Sequence, residues 1–288
     1  MKTPALIVRF SPERTSANRD LASAALLEFD TAAIHEVGDD EWRVFFRTAD
    51  ERDRAMTALA TFGDARPIEI DTEDWARRTQ ETLRAVVVGD IVVAPPWDVP
   101  GEAAPKRVAR RQEARGRVPE ARKTLIVIEP SMGFGTAHHA TTRLCLLALQ
   151  EIDLRGRRVL DVGTGSGVLA IAAAKRGAAH VVAVDNDPDA LAAARDNVSR
   201  NGVDVDLRAV DLQTERLPAA DVVLANLTGA MLRRTASDLA AVARGGTLIL
   251  SGLLTEEAGG VRAAFARFAA SIDRRDQDGW SSLVCTIP

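Results

Sequence analysis

The chain has 288 residues, 46% of them apolar and 27% charged, with a formal net charge of −4. This length allows one large or two modest domains with a sizeable core, and this charge excludes a polyanion-binding protein by overall balance alone. The two cysteines, Cys145 and Cys285, are too few for a disulfide framework and lack metal-ligand spacing, and the N-terminal apolar run at 5–8 is far too short for a signal peptide or a membrane span. The expectation is two buried thiols in a cytoplasmic protein.

In chain order, "ALIVRF" predicts a strand and residues 16–29 carry helical apolar spacing. "AAIHEV" and "WRVFFR" predict two strands joined by the turn composition "GDDE". "ERDRAMTALATF" then predicts a helix and "RPIEI" a strand. The resulting order, β-α-β-β-α-β, is that of ferredoxin-like domains and bounds a first domain at 1–71. A helix over 71–84 follows, then "AVVVGDIVVAPPW", a strand or hairpin ended by two prolines.

From residue 99 to 123 the character changes. "KRVARRQEARGRVPEARK" at 106–123 holds eight Lys or Arg against two Glu. It reads as a solvated insertion or as a basic arm for RNA or an acidic protein. No aromatic residue interleaves with the charges, so nothing in it would stack on bases. Direct nucleic-acid contact is expected through this segment if anywhere.

From residue 124 onward strands and helices alternate. "TLIVIE", "RRVLDV", "HVVAV", "VDLRAV", "DVVLAN" and "GTLILSG" predict strands, and "SSLVCTIP" a last one. Helical segments lie at 141–152, 167–176, 188–201, 230–243 and 256–269. Near-continuous apolar strands alternating with helices imply a parallel sheet covered on both faces. Such sheets bind ligands outside the carboxyl ends of the strands.

Chemistry concentrates at "VLDVGTGSGVLAIAAAKRG". Gly163, Gly165 and Gly167 stand at alternate positions between strand and helix, where glycine lets main chain approach a ligand. Asp161 precedes them. Asp185 ends the next strand in "VVAVDNDP", about 20 residues on, where a carboxylate holds ribose hydroxyls. A nucleoside pocket follows. Val168 stands where the dinucleotide fingerprint needs its third glycine, which argues against a nicotinamide enzyme, and no Walker motif is present.

"VLDVGTGSG" with "VDNDP" resembles motif I and its partner acid in the class I methyltransferases that use S-adenosylmethionine. The resemblance implies that the glycine turn lies against the methionine part of the cofactor. It also implies that Asp161 braces the turn, Asp185 takes the ribose hydroxyls and the Asp211 loop lies beside adenine; a solvated turn aspartate is the competing reading of Asp211. "DVVLANLTG" places Asn226 where amine-methylating members carry Asn or Asp, whose oxygen accepts the substrate N–H. The Pro-Pro-aromatic that often follows is absent: Leu227 and Thr228 stand there, and the chain has no tyrosine to stack on a flipped base.

"IEPSMGFGTAHHATTR" ahead of these motifs is similar to the segment that precedes motif I in the bacterial ribosomal protein L11 methyltransferase family. On that resemblance the stretch is a lid, and Thr142 joins Asp161, Gly163, Gly165, Gly167, Asp185, Asp211 and Asn226 in binding the cofactor. Asn226 is then the catalytic residue and no metal is involved. His138 and His139 become lip residues; His139 fits a polar cap of the following helix better than a catalytic base. The family's second glycine is Ala137 in this chain, and the insertion at 99–123 is extra.

The fold the resemblance implies is α/β. A Rossmann-like class I methyltransferase sheet, mostly parallel with its last strand antiparallel, would follow a smaller ferredoxin-like α+β domain. The expected organisation is a substrate-recognition domain at 1–71, a linker with helix, strand and basic insertion at 72–123, and a methyltransferase domain at 124–288. The implied reaction moves methyl groups from S-adenosylmethionine to α-amines or lysines of a ribosomal protein, free or on the ribosome. The alternative is the same chemistry on another protein. A non-catalytic cofactor-binding module is the reading of another class, and the intact Asn226 argues against it.

Overall fold

The computed structural model describes residues 2–10, 18, 22, 25, 26, 29, 31–36, 40–71, 83–100, 123–130, 139–212 and 214–288. Most of the helices predicted at 16–29 and 71–84, most of the insertion at 99–123 and the stretch 131–138, with His138, lie outside them. The contacts divide the described residues into two units, one within residues 1–83 and one within 84–288.

The first unit is built on β1 (Lys2–Arg9), β2 (Thr31–Glu36), β3 (Glu41–Phe46) and β4 (Asp64–Asp71), with α1 (Ala49–Leu59) between β3 and β4. All pairings are antiparallel and the sheet order is β2-β3-β1-β4, the order of a ferredoxin-like domain. Alternation selects the buried face. Leu6 and Val8 of β1 pack with Trp42, Val44 and Phe46 of β3 and with Ala55 and Leu59 of α1. Thr48 caps α1 by accepting the Glu51 N–H at 3.2 Å.

The second unit contains a three-stranded sheet of β5 (Val86–Val88), β6 (Ile91–Ala94) and β7 (Thr124–Val127). β5 and β6 form an antiparallel hairpin, and β7 lies parallel to β6. Reading "TLIVIE" with the large parallel sheet is therefore corrected. Its hydrogen-bonding partner is the fully buried β6, and a side chain satisfies its main chain elsewhere. Asn201 accepts from the Val127 N–H at 2.9 Å and donates to the Val127 carbonyl at 2.6 Å, as a neighbouring strand would.

The large sheet has seven strands. In chain order its elements are α2 (Ala140–Gln150), β8 (Arg158–Val162), α3 (Val168–Lys175), β9 (His180–Asp185), α4 (Pro188–Asn201), β10 (Asp206–Ala209) and β11 (Val222–Asn226). Then come α5 (Gly229–Arg234), α6 (Ala236–Val242), β12 (Thr247–Leu254), α7 (Ala258–Phe265), β13 (Ser271–Gln277) and β14 (Trp280–Thr286). The strand order is β10-β9-β8-β11-β12-β14-β13, and within it only β14 runs antiparallel to its neighbours. Two apolar clusters cover the sheet. One holds Leu146, Val159, Ile171 and Leu224, the other Leu160, Val223, Leu239 and Phe265.

Two departures from the sequence reading have plain causes. The helix predicted over 230–243 is broken at Thr235, whose hydroxyl donates to the Met231 carbonyl at 2.9 Å, a back-bond that competes with helix continuation. β13, "SIDRRDQ", had no apolar alternation to announce it: it is a charged edge strand, the usual protection of an open sheet edge.

Candidate active site

The chain turns from β8 into α3 through Gly163, Gly165 and Gly167, whose φ values are +71°, +53° and +83°. Such angles strain any residue with a Cβ. At Gly163 a Cβ would also lie 2.5 Å from Cδ2 of Leu227, so that side chain would have to move. The turn is tied to β9: the N–H groups of Gly163 and Thr164 donate to the Val184 carbonyl at 2.9 and 3.0 Å.

The two acids brace this turn from either side. Asp161 is 1% exposed. Its Oδ2 accepts from the Thr164 hydroxyl at 2.7 Å and the Ala170 N–H at 3.2 Å, while Oδ1 is buried with no hydrogen-bond partner among the described residues. Burial pushes its carboxyl up to about 6, the two hydrogen bonds oppose that rise, and the neighbouring charge of Asp185 adds to it. Asp185 accepts the Gly165 N–H at 2.9 Å through Oδ2 and the Asp187 N–H at 3.1 Å through Oδ1.

Asn226 ends β11, one strand over from β8. Its Nδ2 lies 3.5 Å from Oγ1 of Thr142, and its Oδ1 is buried with no partner among the described residues. An unpaired buried amide oxygen costs about 1–3 kcal/mol unless something supplies a donor. Thr142, 2% exposed, stands in the first turn of α2. His139 caps that helix: Nδ1 accepts the Thr141 N–H at 3.4 Å and lies 2.7 Å from the Thr141 hydroxyl. This is the capping role the sequence suggested for it.

The sites predicted from sequence thus gather at the carboxyl ends of β8, β9 and β11. Asp211 follows β10, and its N–H donates to Oε1 of Glu215 at 3.1 Å; the adjacent Val210 N–H donates to the Asp185 carbonyl at 3.0 Å. Both cysteines are buried, and burial pushes Cys145 up to about 12, which leaves it no nucleophile.

Sequence reasoning missed Asn197, 1% exposed on α4. Its Nδ2 donates to the Ser166 carbonyl at 3.0 Å and its Oδ1 accepts the Glu129 N–H at 2.9 Å. One side chain thereby joins the glycine turn to the strand that leads into the histidine-bearing stretch. No local pattern announces it, because both partners are more than thirty residues away.

The sheet order, with one antiparallel strand inserted next to the edge, a glycine turn after β8 and an acid at the end of β9, defines a class I methyltransferase fold. A family model described as ribosomal protein L11 methyltransferase (PrmA) matches residues 32–287. The curated ribosomal protein L11 methyltransferase of Symbiobacterium thermophilum is 37% identical over 259 residues, 88% of this chain and 79% of its own. That of Geobacter sulfurreducens is 37% identical over 297 residues, 97% of this chain and 92% of its own. A crystal structure of a ribosomal protein L11 methylase from Lactobacillus delbrueckii subsp. bulgaricus shares the fold. Its TM-score is 0.58 at 24% identity, over 71% of this chain and 98% of that one. The chain belongs to the ribosomal protein L11 methyltransferase family.

Proposed function

We infer that this chain is an S-adenosylmethionine-dependent protein N-methyltransferase acting on amino groups of ribosomal protein L11 in the cytoplasm. The observation that carries the reading is the orphaned Oδ1 of Asn226 at a strand end whose next residue, Leu227, packs on the glycine turn. An acceptor with no donor, beside a turn built for close approach, suits an amine brought to a cofactor.

The residues fit that cofactor. Gly163, Gly165 and Gly167 carry left-handed φ angles that give the turn a bare, tightly folded main chain, and Asp185 offers a carboxylate to sugar hydroxyls. Asp161 holds the turn, Thr142 holds the amide of Asn226, and the loop at Asp211 borders the pocket from β10. When bound, S-adenosylmethionine supplies an electrophilic methyl on a sulfonium. Asn226 accepts an N–H of the incoming amine and so aims the nitrogen lone pair, a gain in orientation and not in basicity.

Asn226 is too weak a base to take the amine proton, so the amine must arrive neutral. Deprotonating a lysine near pKa 10.4 costs about 4 kcal/mol near neutral pH, whereas an α-amine near 8 costs about 1 kcal/mol. The α-amine is the easier target. Lysine requires a site that lowers its pKa. The first domain, residues 1–71, is assigned the choice of substrate.

The test is incubation of purified ribosomal protein L11 with radiolabelled cofactor, with and without Asn226→Ala. The expected result is labelled α-amine or lysine with the wild type. The variant should bind the cofactor in isothermal titration within about threefold and lose at least about 100-fold in kcat. Unlabelled ribosomal protein, or a variant with unchanged turnover, refutes the reading.

A further inference from the structure

Asn226 needs a fixed direction, and its loop carries no proline to impose one. The fixing comes from β12. This strand pairs with β14 from Thr247↔Thr286 to Leu250↔Leu283 and resumes one residue out of step at Leu253↔Ser281. Ser251 and Gly252 therefore face the single residue Ser282, which is a β-bulge. Ser251 remains in register with Asn226, and its carbonyl accepts the Leu227 N–H at 3.0 Å. Gly252 has φ +86°, and a Cβ there would lie 2.3 Å from the Leu227 carbonyl oxygen and 2.9 Å from its nitrogen. The bulge thus presses bare main chain against the peptide that follows Asn226.

The same loop is held at two further points. The Leu227 side chain occupies the space where a Cβ of Gly163 would fall, with Cδ2 2.5 Å from that position. Beyond it, Oε1 of Glu257 lies 2.8 Å from where a Cβ of Gly229 would be, and Oε2 of Glu257 accepts the Leu254 N–H at 2.9 Å. Leu227 is therefore gripped between Gly163 and Gly252, while Asn226 itself makes one long side-chain contact, to Thr142.

We propose that Gly252 is a positioning residue for methyl transfer: the bulge it forms seats the Leu227 peptide and so sets the direction of the Asn226 side-chain amide and its Oδ1. This rests on the reading of Asn226 as the acceptor of the substrate N–H. Gly252 touches neither substrate nor cofactor; it acts through Leu227.

The test compares Gly252→Ala with Gly245→Ala in the full chain. Gly245 has φ +76° but nothing within 4 Å of its Cβ position, so its variant carries the backbone strain without the collision. Gly252→Ala should lose about 100-fold in kcat on ribosomal protein L11 while cofactor Kd stays within about threefold, the pattern of a misplaced group. Gly245→Ala should keep its kcat. Equal losses in both variants, a loss confined to cofactor Kd, or unchanged kcat in Gly252→Ala each overturn the proposal. A second measurement is independent of turnover: the Asn226 side-chain amide resonances should shift in Gly252→Ala and not in Gly245→Ala, and resonances unmoved in both overturn it. An inactive wild type would sink the assigned substrate, with the resonances still deciding the placement. If Gly252→Ala does not fold, Leu227→Ala releases the same loop from the Gly163 side and should show the same kcat loss with cofactor binding kept; unchanged kcat there overturns the proposal.

Discussion

Asp185 and Asp161 both hold the glycine turn, yet their environments differ. Asp185 accepts two main-chain N–H groups and is half-buried, so its carboxylate remains available to a second set of donors. Asp185→Ala should weaken cofactor affinity by about 1.5–3 kcal/mol, the worth of a charge-assisted hydrogen bond, as read by isothermal titration. Unchanged affinity would remove Asp185 from the pocket. Asp161 is closed off, and its carboxyl is pushed up to about 6 from an ordinary 3.8. A folded state that binds the proton more tightly than the unfolded chain gains stability from it below about pH 4 and loses that gain as pH rises through about 6. Asp161→Asn keeps an acceptor for Thr164 and Ala170 and removes the titration. The stability difference between variant and wild type should therefore shift in the variant's favour by on the order of 3 kcal/mol from pH 4 to pH 7. Urea unfolding at the two pH values checks this, and a constant difference would refute it. Both aspartates were legible in the sequence because their positions are set by strand ends and a glycine turn close by. Gly252 and Asn197 were not, because each acts on residues far along the chain, and a glycine in a strand or an asparagine in a helix has no local signature of purpose.

At the scale of elements, α4 does more than cover the sheet. Its last two turns present Asn197 and Asn201 to β7 and the residues after it, so the helix serves as the missing neighbour of a short edge strand. Asn197 also holds the Ser166 carbonyl of the glycine turn. Asn197→Ala would strand one buried carbonyl and one N–H, at a cost of about 2–4 kcal/mol for the two. Urea denaturation should register that loss together with weaker cofactor binding. A loss below about 0.5 kcal/mol would mean that water replaces the amide. The parallel strands and most helices could be read from apolar runs and spacing, because burial on both faces writes itself into composition. What could not be read was pairing. "TLIVIE" has the composition of a central strand and lies in another sheet, while the polar β13 completes the large one. Strand identity is a local property; strand partners are decided by geometry that no window of sequence contains.

At the scale of the molecule, each unit has its own core. Among the described residues, the cluster around Leu6, Trp42 and Phe46 is built from residues before 66 and the two clusters about the large sheet from residues after 85. A core of its own is the physical condition for a part to fold alone. The proposed site residues Thr142, Asp161, Gly163, Gly165, Gly167, Asp185, Asp211 and Asn226 all belong to the second unit. Chemistry and substrate choice should therefore separate when the chain is cut. A fragment of residues 84–288 should unfold cooperatively and bind S-adenosylmethionine within about threefold of the full chain, since both cores and the glycine turn are intact. Its kcat/KM on ribosomal protein L11 should fall by about 100-fold or more, equivalent to about 2.7 kcal/mol of lost substrate binding. The loss should appear in KM before kcat, because the residues that orient the amine remain. Retention of kcat/KM within about threefold would assign substrate choice to the methyltransferase unit itself. A fragment that binds no cofactor would mean that the first unit helps to build the pocket.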